Sequence, residues 1–199
     1  MTTELVAGSF SGLIFDCDGT LVDTAPAHYG ALQVALARRG LMMESGWYFE
    51  RVGLTPAALL DAYEEIVGPV ARKEILEDYT VAFHEGLSHL REVEVIAAIA
   101  REWKGRVPMA VASNGRRVNV EATLRATGLL GLFDYVVAAE DVERGKPAPD
   151  VFLESARRMG VAPERCVVFE DSDEGLEAAR RAGMDGRDIR RVFIPDWKA

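Results

Sequence analysis

The chain has 199 residues, enough for one large domain or a core with a smaller insert, and its 49% hydrophobic and 28% charged residues exclude a disordered chain. A net charge of -9 argues against nucleic acid or an anionic membrane as a partner, so a phosphate-bearing ligand would need a local positive feature such as a metal ion. No stretch approaches the ~18 apolar residues of a membrane span, and the opening MTTELVAGSF lacks a basic region followed by a long apolar run, so a cytoplasmic location is expected.

Residues 13–15 form the first buried strand, a short apolar run between Gly12 and Asp16-Cys17-Asp18. No second run of this kind follows until residue 107, too far for one crossover. Apolar spacing predicts helices over 26–39, 55–67, 70–83 and 93–103, the last belonging with the sheet. Residues 25–91 are therefore expected to be an all-helical insert, with 1–24 and 92–199 making the core. The stretch 24–90 holds five Lys/Arg against nine Asp/Glu, so the insert is no basic clamp for a polyanion. Further strands are predicted over 107–112, 135–139 and 166–169, with a last one over 191–194. Helices over 118–127, 149–159 and 175–182 lie between them, followed by Gly128, Gly160 and Gly183 as C-caps. This alternation gives an α/β class, a doubly wound, Rossmann-like parallel sheet with right-handed crossovers.

Cys17 and Cys166 both lie inside apolar runs and read as core residues with no disulfide between them. Thiolate phosphate chemistry usually places an Arg six residues after the Cys, and Asp23 and Ser172 stand there instead.

Ligands of a doubly wound sheet bind beyond the carboxyl ends of its strands. The first strand supplies Asp16 and Asp18, the second Ser113 and Asn114, the fourth Glu170 and Asp171; Lys146 follows the third. The types are complementary. Carboxylates are hard oxygen ligands suited to Mg²⁺, and a cation cancels the repulsion among them. A hydroxyl, an amide and an ammonium can take the remaining oxygens of a phosphoryl group.

The segments DCDGTLVDT, VASNG, GKPAPDVF and FEDSDEGLEAARRAGM resemble, in order, the four motifs of the haloacid dehalogenase superfamily. A helical insert after the first motif is similar to the branch holding β-phosphoglucomutase and small sugar-phosphate phosphatases, with fructose-1-phosphatase-like proteins most alike. The resemblance implies a catalytic core with a helical cap. It implies Asp16 as the nucleophile that forms an aspartyl-phosphate, and Asp18 as general acid and then base. It also implies Ser113, Asn114 and Lys146 on the phosphoryl group, and Mg²⁺ held by Asp16, the Asp18 carbonyl and Asp171. Glu170 would ligate directly or through water. An alkoxide leaving group needs an acid and a halide does not, so Asp18 favours phosphate esters.

The expected activity is therefore Mg²⁺-dependent hydrolysis of a small phosphorylated metabolite, such as fructose 1-phosphate, by a monomer or small homo-oligomer. Phosphoryl transfer of the β-phosphoglucomutase type is the alternative, and a binding or regulatory module a further one. RVGLTPAALL is similar to the branch's substrate-facing cap loop, with Gly53 on its glycine, but the mutase's basic residues fall on Val52 and Pro56. His28 matches a histidine that could orient Asp18, or it is a packed or surface residue. Arg51, Arg116 and Arg117 are solvated arginines or face substrate. Trp47, Tyr48 and Phe49 are core, or the wall of a cavity. His84 and His89 receive no role.

Overall fold

The computed structural model describes residues 5, 6 and 8–198. The chain divides into two compact units, one running to Asp23 and resuming at Arg91, the other Thr24–Leu90. The strands are β1 (Gly12–Phe15), β2 (Val22–Asp23), β3 (Arg91–Glu92), β4 (Met109–Ala112), β5 (Tyr135–Val137), β6 (Cys166–Glu170) and β7 (Asp185–Asp188). The second unit holds the helices α1 (Ala25–Ala37), α2 (Ser45–Phe49), α3 (Pro56–Val67) and α4 (Arg72–Gly86). The first holds α5 (Glu94–Trp103), α6 (Arg117–Ala126), α7 (Asp150–Met159) and α8 (Asp173–Arg181).

Five strands make one parallel sheet in the order β5-β4-β1-β6-β7, so β1 is central and its two neighbours flank it in register, Leu13 opposite both Met109 and Val167. Every residue of β1, β4 and β6 is buried, as expected of strands covered on both faces. Ile14, Ala110, Ala112 and Val168 pack with Val151, Phe152 and Ala156 of α7 and Ala178 and Ala179 of α8. Their neighbours along the pleat turn to the opposite face. There Phe15 stacks on Phe169 with ring centroids 4.7 Å apart and meets Phe133 edge-on at 5.5 Å. Cys17 and Cys166 are buried free thiols. Gly160 ends α7 in the left-handed conformation at φ 67°, where a side chain would be strained.

Three features differ from expectation, one of them α2, a five-residue helix in a stretch where none was predicted. The final strand is not residues 191–194: β7 is Asp185–Asp188, and Ile189–Arg191 is a 3₁₀ turn. β7 is an edge strand of Asp, Gly, Arg and Asp, held by backbone pairing to β6 at Val167, Val168, Phe169 and Glu170, so it carries no apolar signal. The short antiparallel pair β2–β3 was also not expected; it joins Val22 to Glu92 and Asp23 to Arg91.

The second unit has its own core. Leu32 and Leu36 of α1, Tyr48 of α2, Leu59, Leu60 and Tyr63 of α3, and Ile75, Tyr79 and Phe83 of α4 pack together. Thr55 caps α3 by accepting the Ala58 N–H at 3.3 Å, and Pro56 occupies the first turn, where its missing N–H costs nothing. Among the described residues no helix is long and apolar enough to cross a membrane.

Candidate active site

Asp16 continues the line of β1, its N–H donating to the Phe169 carbonyl at 3.0 Å. Its carboxylate therefore emerges at the carboxyl end of the central strand, and it is buried. The chain then turns sharply. Gly19 sits at φ 89° and donates to the Val22 carbonyl at 2.8 Å, while Leu21 and Val22 donate to the Cys17 carbonyl. A Cβ on Gly19 would lie 2.3 Å from Asp171 Oδ2, so glycine serves both the backbone angle and the close approach. Buried Thr20 donates its hydroxyl to Asp171 Oδ1 at 2.7 Å. The loop after β1 thus closes directly on the acid after β6.

Lys146 is the buried cation of the site. Its ammonium donates to Asp16 Oδ1 and, at 2.7 Å, to Glu170 Oε2. Burial works against its charge, yet the Asp16 and Glu170 carboxylates outweigh that and hold it above the usual lysine range. Asn114 brackets the backbone of the same lysine, accepting from its N–H at 2.8 Å and donating to its carbonyl at 3.2 Å. Gly145 makes room, since a Cβ there would lie 2.7 Å from Asn114 Oδ1. Ser113 is buried just beyond β4, and its hydroxyl oxygen accepts the Gly115 N–H at 2.9 Å. Asp18 lies over this turn, its Oδ2 3.5 Å from where a Cβ on Gly115 would stand.

Glu170 has both oxygens engaged. Oε2 takes Lys146, while Oε1 accepts from the N–H of Asp171 and of Ser172 at 3.1 Å and from the Ser172 hydroxyl at 2.7 Å. Ser172 in turn caps α8, its oxygen accepting the Gly175 N–H at 3.0 Å. Carboxylate oxygens of Asp16, Glu170 and Asp171 all lie within 4.8 Å of one another. Burial, then the neighbouring acids, push the Asp16 carboxyl well above its usual range against the pull of Lys146. Burial and the Glu170 charge push Asp171 up to about 6.

The sequence-predicted residues Asp16, Lys146, Glu170 and Asp171 thus come together in one cluster, with Ser113, Asn114 and Asp18 on the adjoining turns. Other candidates are tied elsewhere. Arg117 pairs with Asp141 and Glu121, and Arg116 is exposed, 3.8 Å from Glu140. Arg51 lies over the Trp47 ring at 4.2 Å and donates to the Trp47 carbonyl. Within the second unit His28 Nδ1 is 2.7 Å from the Tyr79 hydroxyl, and its ring stacks on Phe83 at 4.4 Å, a packed residue. Tyr48 is core, with Trp47 and Phe49 packed against it. Sequence reasoning missed Ser172 and the side-chain role of Thr20. Ser172 carried a signal, a serine followed by Asp173 and Glu174 in the first helical turn.

Residues 10–183 match the model of the haloacid dehalogenase-like hydrolases. The chain is 40% identical over 182 residues to the fructose-1-phosphate phosphatase YqaB of Escherichia coli, covering 91% of this chain and 97% of that protein. It is 31% identical to hexitol phosphatase A of the same organism, over 86% and 79% of the two chains. A solved structure of CbbY from Rhodobacter sphaeroides, in complex with phosphate, superposes with a TM-score of 0.78 at 29% identity, covering 89% of this chain and 84% of that one. The parallel sheet with β1 at its centre, the acids gathered at its carboxyl edge and the family match over nearly the whole chain agree: this protein belongs to the haloacid dehalogenase-like hydrolases, as a phosphoric monoester hydrolase.

Proposed function

We propose that the protein is an Mg²⁺-dependent phosphatase that hydrolyses a small sugar phosphate, with fructose 1-phosphate the first candidate, through an aspartyl-phosphate on Asp16. The observation that carries the reading is the cluster of Asp16, Glu170 and Asp171, the first two buried and both paired with Lys146. The likeness to a fructose-1-phosphate phosphatase supports the substrate class.

The donor set fits Mg²⁺. Its atoms are hard oxygens, and the carboxyls of Asp16 and Asp171, raised by burial and by neighbouring acids, mark a site where negative charge outweighs the single Lys146 ammonium. Asp16, the Asp18 carbonyl and Asp171 would hold the ion, with Glu170 a less direct participant because both its oxygens serve Lys146 and the loop after β6. When bound, the ion supplies charge neutralisation to the carboxylates and to a phosphoryl oxygen.

A carboxylate oxygen of Asp16 attacks phosphorus and the ester P–O bond breaks, the departing alkoxide taking its proton from Asp18. Water then attacks the same phosphorus, Asp18 accepts a proton from it, and the bond to Asp16 breaks to release phosphate. Ser113 Oγ already accepts from Gly115, which leaves its own proton to donate to a phosphoryl oxygen. Asn114, its side chain engaged by the Lys146 backbone, would offer its own N–H. Lys146 neutralises charge on the nucleophile and on the transferring group. The unit Thr24–Leu90 is read as the cap that selects the leaving group.

A screen of phosphate monoesters for phosphate release in Mg²⁺ tests this. Fructose 1-phosphate or a similar sugar phosphate should be hydrolysed, and Asp16→Asn should abolish turnover. Conversion of β-glucose 1-phosphate to the 6-phosphate, without release of phosphate, would replace hydrolysis by the mutase reading.

A further inference from the structure

The ammonium of Lys146 has a third neighbour besides its two carboxylates. Its Nζ lies 5.0 Å from the centre of the Phe152 ring, over the ring face. Phe152 belongs to the first turn of α7, six residues after Lys146, and its N–H donates to the Pro149 carbonyl at 3.1 Å. The ring is wholly buried, and the lysine side chain is 5% exposed. Here a ring face is closer to a ligand than to a filler. Its negative quadrupole attracts a cation within about 6 Å, most strongly where water is excluded.

We propose that Phe152 is a positioning residue for the reaction: its ring face holds the Lys146 ammonium in place without using one of its N–H donors. The proposal rests on the catalytic reading of Lys146 given above. The chemistry favours a ring at this position over a third polar side chain. An ammonium has three N–H donors, and Asp16 and Glu170 take two. A third carboxylate or a carbonyl would take the last and leave nothing for a phosphoryl oxygen. An aliphatic side chain would exclude water but contribute no attraction, so the cation would rest on two carboxylates alone. One of these, Asp16, loses its charge to the phosphoryl bond as the nucleophile is consumed. At that moment Glu170, the ring and the phosphoryl oxygen that takes the third N–H are what hold the ammonium. The ring's attraction is unaltered by the reaction, because it neither titrates nor transfers a proton. Lys146 and Phe152 are also linked through one short segment whose lysine end Asn114 clamps at the backbone, which sets where the lysine side chain starts relative to the ring.

The test replaces Phe152 in the full-length protein by 4-fluoro-, 3,5-difluoro- and 3,4,5-trifluorophenylalanine, which weaken the ring face stepwise with little change in volume. The turnover number for p-nitrophenyl phosphate in saturating Mg²⁺ should fall monotonically, by about 3- to 10-fold across the series. Thermal midpoints should stay near wild type and KM should change less than kcat. Phe152→Leu, checked for folding by its thermal transition, should fall at or below the trifluoro point. A turnover number independent of fluorination, in a series where Lys146→Gln abolishes activity, would overturn the role of Phe152 and leave that of Lys146 intact. Full activity in Lys146→Gln would overturn both, because the ring would then have no functional ammonium to hold.

Discussion

Asp171 is approached from the first loop by two groups, the missing side chain of Gly19 and the hydroxyl of Thr20. The hydrogen bond from Thr20 orients one carboxylate oxygen and leaves the other for a cation, as outer-shell donors do around metals. Thr20→Val should therefore weaken Mg²⁺ binding about tenfold by calorimetry, with turnover largely restored at saturating Mg²⁺; unaltered affinity would contradict the role given to the hydroxyl. Asp18 can be probed through its two proton transfers. p-Nitrophenolate leaves without an acid, so Asp18→Asn should release about one equivalent of it and then stall, because no base activates water. Steady turnover at the wild-type rate would exclude Asp18 as that base. At this scale the sequence was informative about charge and silent about partners. Asp16, Glu170 and Asp171 stand out because ionisable residues at the ends of apolar strands are costly unless paired, while Lys146, nine residues beyond β5, stands out by its place in GKPAPDVF. The bond of Thr20 to Asp171 spans 151 residues of sequence, and no local pattern encodes it.

The helix α8 presents a conflict between propensity and packing. Gly175 lies in its first turn, where alanine is the better helix former by up to about 1 kcal/mol. A Cβ there, however, would stand 2.0 Å from the Glu170 carboxylate. That carboxylate is buried and held by Lys146, two backbone N–H groups and Ser172, so it cannot swing aside without losing these bonds. Gly175→Ala should consequently lower both stability and turnover, the latter by at least tenfold, measured by thermal unfolding and by phosphate release. A stabilised, fully active variant would mean that Glu170 moves freely. The elements themselves were legible to different degrees. β1, β4 and β6 are wholly buried and announce themselves as apolar runs. β7 is an edge strand without apolar residues, and the run near residues 191–194 drew the expectation past it. Helix ends shifted by a few residues where capping, and not periodicity, decides: α8 starts at Asp173 because Ser172 caps it, two residues before the apolar pattern begins.

Over the whole molecule, the acidic groups divide into two populations with opposite effects on stability. Glu154 and Glu177 each bond two arginines, which lower their carboxyls to about 2. Their contribution is present above the unfolded value near 4.5 and is lost as pH falls through about 2. Asp16 and Asp171 are raised, by burial first and then by the Glu170 charge, with Asp171 and Asp18 adding to the rise at Asp16 and Asp18 to that at Asp171. A raised acid favours the fold below its unfolded value of 3.8, and that contribution is lost as pH rises through the folded value, about 6 for Asp171. In chelator, the thermal midpoint should thus decline between pH 4.5 and 7.5. Saturating Mg²⁺ should restore the midpoint at pH 7.5 and do much less at pH 5, where the ion must first displace a proton from Asp171. Asp171→Asn, which keeps an acceptor for Thr20, should flatten the decline in chelator and remove most of the response to Mg²⁺. A midpoint that rises with pH across this interval in chelator would show that burial does not raise these acids, and an Asp171→Asn variant as responsive to Mg²⁺ as wild type would show that Asp171 does not help to hold the ion. The net charge of -9 called for a local positive feature, such as a metal ion, at any phosphate site before the fold was known, and the acids gathered at the ends of β1 and β6 are where stability, pH and Mg²⁺ would be coupled in these measurements.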